Sequence, residues 1–68
     1  MSVVKIIELV GSSSTSSDDA VQQALAEARQ TLRNIKAVDV VSTGLRGDDL
    51  DEWRAHVRVA FLVEHVAQ

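Results

Sequence analysis

From Trp53 to Val63 every odd position is apolar: Trp53, Ala55, Val57, Val59, Phe61 and Val63. The even positions begin polar, with Arg54, His56 and Arg58, and turn apolar at Ala60 and Leu62. Alternation with a period of two is the mark of a strand whose odd face is committed to a core. The run is longer than the usual strand of about five or six residues. The change of character on the even face predicts that this second side is also partly covered.

The rest of the chain must supply paired strands and a cover for the odd face. Val3–Val10 is rich in Val and Ile and reads as a strand, with Val3, Lys5, Ile7 and Leu9 on one parity and Val4, Ile6, Glu8 and Val10 on the other. A strand with one wet face alternates cleanly. Here both parities are mostly apolar, so both faces expect cover, the second from a partner chain if not from this one. "GSSSTSS", Gly11 to Ser17, reads as a loop leading into a helix cap. Ser16 suits the N-cap, with Ser17 as the close alternative, and Asp18 and Asp19 favour the positive helix end.

The spacing predicts a helix from about Ser17 to Asn34. Val21, Ala24, Leu25, Ala28, Leu32 and Ile35 form its apolar stripe, and Gln22, Ala26, Arg29 and Arg33 its polar side. The four alanines of "AVQQALAEA" raise helix propensity and let the helix approach a sheet closely. A second strand spans about Ile35 to Thr43, with Val38 and Val40 on one parity and Ala37, Asp39 and Val41 on the other. "GLRGDDLDE" then reads as a hairpin loop in which Gly44 and Gly47 take positive φ or a bulge geometry. The fold class is α+β, a βαββ chain whose helix lies across one face of a three-stranded antiparallel sheet.

No further element covers the other sheet face. The chain has 68 residues, 46% of them hydrophobic, and no cysteine. A domain of this size buries only about 60% of its unfolded surface, and no disulfide can supplement the core. Self-association is the remaining support. The net charge of −3 and the scattered basic residues argue against nucleic acid. No apolar run approaches membrane-spanning length. The apolar N-terminus lacks a charged leader and a cleavage site, so a cytoplasmic protein forming one domain over residues 1–68 is expected.

Several residues invite a functional reading. Asp48, Asp49, Asp51 and Glu52 offer oxygen ligands for a hard cation such as calcium, although the spacing is not that of an EF-hand and a solvated loop explains them as well. His56, between Arg54 and Arg58, has Glu8 and Asp39 as cross-strand candidates, which suits a row of ion pairs. His65 is too near the terminus to inform. Trp53 has a stacking face, yet shares the core parity. No nucleophile-and-base constellation and no phosphate-binding glycine motif is present, so an enzyme is not expected.

Three segments in order resemble the dodecin family: "VVKIIELVGSSSTS", "DDAVQQALAEARQTLRNI" and "EWRAHVRVAFLVE". The resemblance covers nearly the whole chain. It implies a βαββ subunit whose curved sheet partly wraps the helix, and a hollow dodecameric shell. It also implies flavin (riboflavin, FMN or lumichrome) bound at subunit contacts for storage rather than catalysis, and in some bacterial members coenzyme A. The family's flavin site uses a stacking tryptophan at the start of strand two and a glutamine early in strand three. Those positions fall on Ala37 and Arg54. Alanine removes a stacking contribution of about 0.5–1.5 kcal/mol together with the buried ring area. Arginine donates only, and cannot accept the flavin imide N–H. The chain is therefore similar to a flavin-poor branch that includes calcium-associated members. Ala37, Arg54 and His56 are the candidate ligand residues, with the last two suited to a phosphate-bearing group. Glu8 and Asp39 are candidate metal ligands in the alternative, a flavin-free shell or cation binder.

Overall fold

The structure is a computed structural model that describes residues 2–64. Four elements follow in the order β1 (Ser2–Ser13), α1 (Ser17–Thr31), β2 (Ile35–Arg46) and β3 (Glu52–Glu64). The expected βαββ architecture is present. β3, with the cleanest alternation, is the central strand of a sheet ordered β1-β3-β2, and both neighbours pair with it antiparallel. Its odd residues face α1: Ala55, Val57 and Val59 are fully buried, with Trp53 packed at the margin of the same cluster.

α1 seats on the sheet through alanine. Ala20, Ala24 and Ala28, one turn apart, are its buried residues, while Val21 and Leu32 pack beside them. The expected stripe included Ala24 and Ala28 but not Ala20, and it centred too far towards Leu25. The reason lies in Gly11. This residue sits inside β1, opposite Ala55, and a Cβ built on it would overlap the Ala20 carbonyl oxygen and press on the Ala24 N. Glycine here permits helix backbone to touch strand backbone, and only the smallest helix residues fit that approach.

The expected loop at Gly11–Ser17 is corrected accordingly. β1 continues to Ser13 because β3 continues to meet it, with Ser12 opposite Arg54 and Ser13 opposite Trp53. The true turn is Ser14–Ser16. Buried Ser13 organises it: its Oγ donates to Asp19 Oδ2 at 2.6 Å and accepts the Thr15 N–H at 2.9 Å. Ser16 is the N-cap, accepting the Asp19 N–H at 3.0 Å. At the other end α1 stops at Thr31, short of Asn34. Leu32 turns extended, its N–H bonding Ala28 O, and Asn34 takes φ 60°, a left-handed conformation that asparagine tolerates.

β2 runs to Arg46 rather than Thr43, with irregularities between Ile35 and Ala37 and between Val40 and Ser42. The second absorbs Val41 and restores phase, so Ser42 and Gly44 stand opposite the outward His56 and Arg54. Gly44 is neither at positive φ nor a bulge residue. It is an in-register strand residue, whereas Gly47 (φ 96°) makes the turn as expected, with Leu50 also at positive φ. Replacement of Gly11 by alanine is expected to destabilise the fold by about 1–3 kcal/mol or more, since backbone cannot yield as a side chain can. Urea denaturation at matched protein concentration measures it. An unchanged midpoint would mean that α1 is not seated on Gly11.

Candidate functional site

The face of the sheet turned away from α1 is where the candidate residues gather. It carries the even residues of β3 with their register partners, and falls into three zones. At the end distal to the β2–β3 turn, Val4 opposes Leu62, and Ile6 and Ala37 flank Ala60. Val4 and Ile6 are 55% and 61% exposed, so the zone is an open apolar surface. Next comes a charged band in which Glu8 and Asp39 stand on either side of Arg58. His56 Nε2 lies 2.6 Å from Glu8 Oε1, and Arg58 Nε is 3.9 Å from the same oxygen. The expected ion-pair row is present, with Glu8 and not Asp39 as the partner of His56.

The third zone, beside the turn, is a cleft of about 260 Å³ lined by Val10, Ser42, Thr43, Gly44, Arg46, Arg54 and His56. Arg54 is held by Glu52, whose Oε2 accepts from Nε at 2.7 Å and lies 2.6 Å from Nη2. Glu52 is thus a strand residue engaged by arginine, and does not stand free with Asp48, Asp49 and Asp51 as the acidic-loop reading supposed. Arg46 Nη1 donates to its neighbour's carbonyl, Leu45 O, at 2.9 Å. Among the described residues no carboxylate lies within ion-pair distance of Arg46.

The structure brings Arg54 and His56 together and leaves Ala37 apart. Ala37 opposes Ala60, six residues along β3 from Arg54, a separation of about 20 Å at the strand rise of about 3.3 Å per residue. Both lie on the same outward face, so one chain cannot present them to one small molecule. Glu8 and Asp39 are likewise divided by β3 and its Arg58, about 9–10 Å from strand to strand. Among the described residues no group of three metal-ligating side chains is gathered. Trp53 faces the core side, and His65 lies outside the described residues. Reading the sequence missed Ser42, Gly44 and Arg46. "GLR" reads as the start of the loop, and only the full length of β3 shows that β2 must continue to Arg46 to pair Glu52.

The dodecin family model matches residues 3–64. The chain belongs to the dodecin family. A search of curated proteins finds no match. Among solved structures, the tt0972 protein from Thermus thermophilus is 35% identical with a TM-score of 0.86, covering 97% of this chain and 100% of its own. Dodecin from Streptomyces coelicolor is 27% identical with a TM-score of 0.87, covering 96% of each. A calcium-chelating antigen of Mycobacterium tuberculosis, described as a calcium dodecin with a novel calcium-binding site, is 26% identical with a TM-score of 0.81, covering 97% of this chain and 96% of its own. Family membership accounts for the βαββ order and the open three-stranded sheet. Among the described residues no helix is long and apolar enough to cross a membrane.

Proposed function

We propose that this dodecin is a non-enzymatic, cytoplasmic small-ligand-binding protein that works as a homo-oligomeric shell, dodecameric as the family implies, with a weakened flavin site. The observation that carries the reading is the uncovered outward face. It places open aliphatic surface at Val4 and Ile6 and a ligand-sized cleft on the same side of one sheet. The radius of gyration, 14.3 Å, exceeds the value of about 11 Å expected for a compact chain of this length. A single copy is too extended to complete its own burial, and copies packed on the outward face would supply the missing cover.

The flavin reading is weakened on chemical grounds. Ala37 offers no ring, Arg54 no acceptor, and the two meet at one ligand only if different copies contribute them. A cation-holding variant is the second reading, favoured by similarity to the calcium dodecin. Its oxygen donors would be Glu8, Asp39 and the exposed loop acids, assembled from several copies.

Sedimentation velocity is expected to show a species many times the monomer mass, and Ile6→Glu to shift it to monomer by burying an unpaired charge. A wild-type protein sedimenting only as monomer would refute the shell. Titration with riboflavin, followed by fluorescence quenching, is expected to give weak binding that tightens at least about tenfold in the Ala37→Trp, Arg54→Gln double variant, a gain of about 1.4 kcal/mol. A double variant that assembles yet binds riboflavin no better would place the flavin site elsewhere. For the cation reading, millimolar calcium should raise the unfolding midpoint, and magnesium at equal concentration should not.

A further inference from the structure

At the corner where α1 gives way to β2, the chain frames a cavity of about 470 Å³ lined by Arg29, Gln30, Thr31, Leu32, Arg33 and Asn34. Leu32 leaves the helix extended and Asn34 turns the chain at φ 60°. The Asn34 carbonyl accepts the Leu62 N–H at 3.0 Å, which ties the corner to the end of β3. Two guanidinium groups share its walls. From Ala28 to Val38 the sequence holds Arg29, Arg33 and Lys36 and no acid. Among the described residues no carboxylate lies within ion-pair distance of these three.

The opposite charge collects at the other end of the sheet. Asp48, Asp49 and Asp51 crowd the β2–β3 turn. They join none of the ion pairs among the described residues and do not line the cleft on the outward face. Leu50 stands among them, 61% exposed and at φ 54°, a backbone conformation uncommon for leucine. The whole of β2, Ile35–Arg46, lies between corner and turn, about 35 Å at the strand rise of about 3.3 Å per residue. The turn of one chain therefore cannot reach its own corner. Neither cluster takes part in the core, and each sets like charges side by side, a cost that a partner of opposite charge relieves.

We infer that the acidic turn of one copy seats in the basic corner of the next. The inference rests on the homo-oligomeric reading above and names a pair of surfaces through which copies meet. Each guanidinium can donate two N–H bonds to an arriving carboxylate. Leu50 adds an apolar contact to Leu32, half-buried at the corner. Because the two surfaces differ, the contact is heterologous: it links copies head to tail and closes into a ring when the rotation between them does. A self-complementary contact through the outward face joins copies only in pairs. The head-to-tail contact is what carries such pairs to a larger closed assembly.

Charge reversal at each end, followed by sedimentation velocity across dilution and urea series, tests this. Arg29→Glu with Arg33→Glu, and separately Asp48→Lys with Asp49→Lys, are each expected to raise the dissociation constant of the assembly at least about tenfold, since each sets like charges face to face. The fourfold variant, with the charges exchanged between the ends, is expected to recover most of that loss. Far-UV circular dichroism checks that every variant keeps its helix. Loss in both double variants without recovery in the fourfold one overturns the pairing. Loss from the arginine changes alone overturns it too, because the occupant of the corner is then not the turn. If neither double variant dissociates more readily while Ile6→Glu still yields monomer, this inference falls and the shell reading stands. A monomeric wild-type protein would remove both.

Discussion

The contact on which the rest depends is backbone against backbone, where α1 crosses β1 at Gly11. Side chains normally space a helix from the sheet it covers. Here a glycine in the strand and alanines at 20 and 24 remove that spacer. The close seat explains how so few large residues make a core: among the described residues the buried apolar side chains are three alanines from the helix with Ala55, Val57 and Val59 from the central strand. It also fixes where α1 lies, over β1 and β3, and so leaves Val40 on β2 half exposed although it shares the core side with Val57. One sheet face is thinly covered and the other is bare. The first follows from the narrow seat of α1, the second from its being the one helix among the described residues.

Periodicity made the central strand and the helix legible, because burial in each repeats at fixed intervals. Ser16 was readable as a cap because capping chemistry is local. Element ends were not. Gly11 and Gly44 look like turn residues, yet both are in-register strand residues, one serving a helix and the other an arginine. Their roles depend on what lies across from them, which composition does not encode. The family resemblance came from ordered motifs along the chain and was sound for the same reason the fold was. The candidate site was only half visible. Strand parity places His56 on the outward face and the family motif singles out Arg54, but Arg46 joins them only through the irregularity at Val41 that resets the phase of β2. A parity count run straight through that point turns every later side chain of β2 to the wrong face.

The outward face separates its tasks along the strands. Aliphatic residues at the end distal to the turn offer burial without direction. Glu8, His56 and Arg58 form the charged band between the two ends. The arginines beside the turn are the part with unspent hydrogen-bonding capacity.

The irregular pairing of β2 has a consequence for how copies meet. β1 and β2 are both edge strands, and long edges of hydrogen-bonding groups invite endless strand-on-strand growth. Two bulges within β2 interrupt its row of donors and acceptors and twist it out of line. That edge is a poor template for a straight fibre. In the proposed shell, copies would meet less readily along this edge than through the sheet faces.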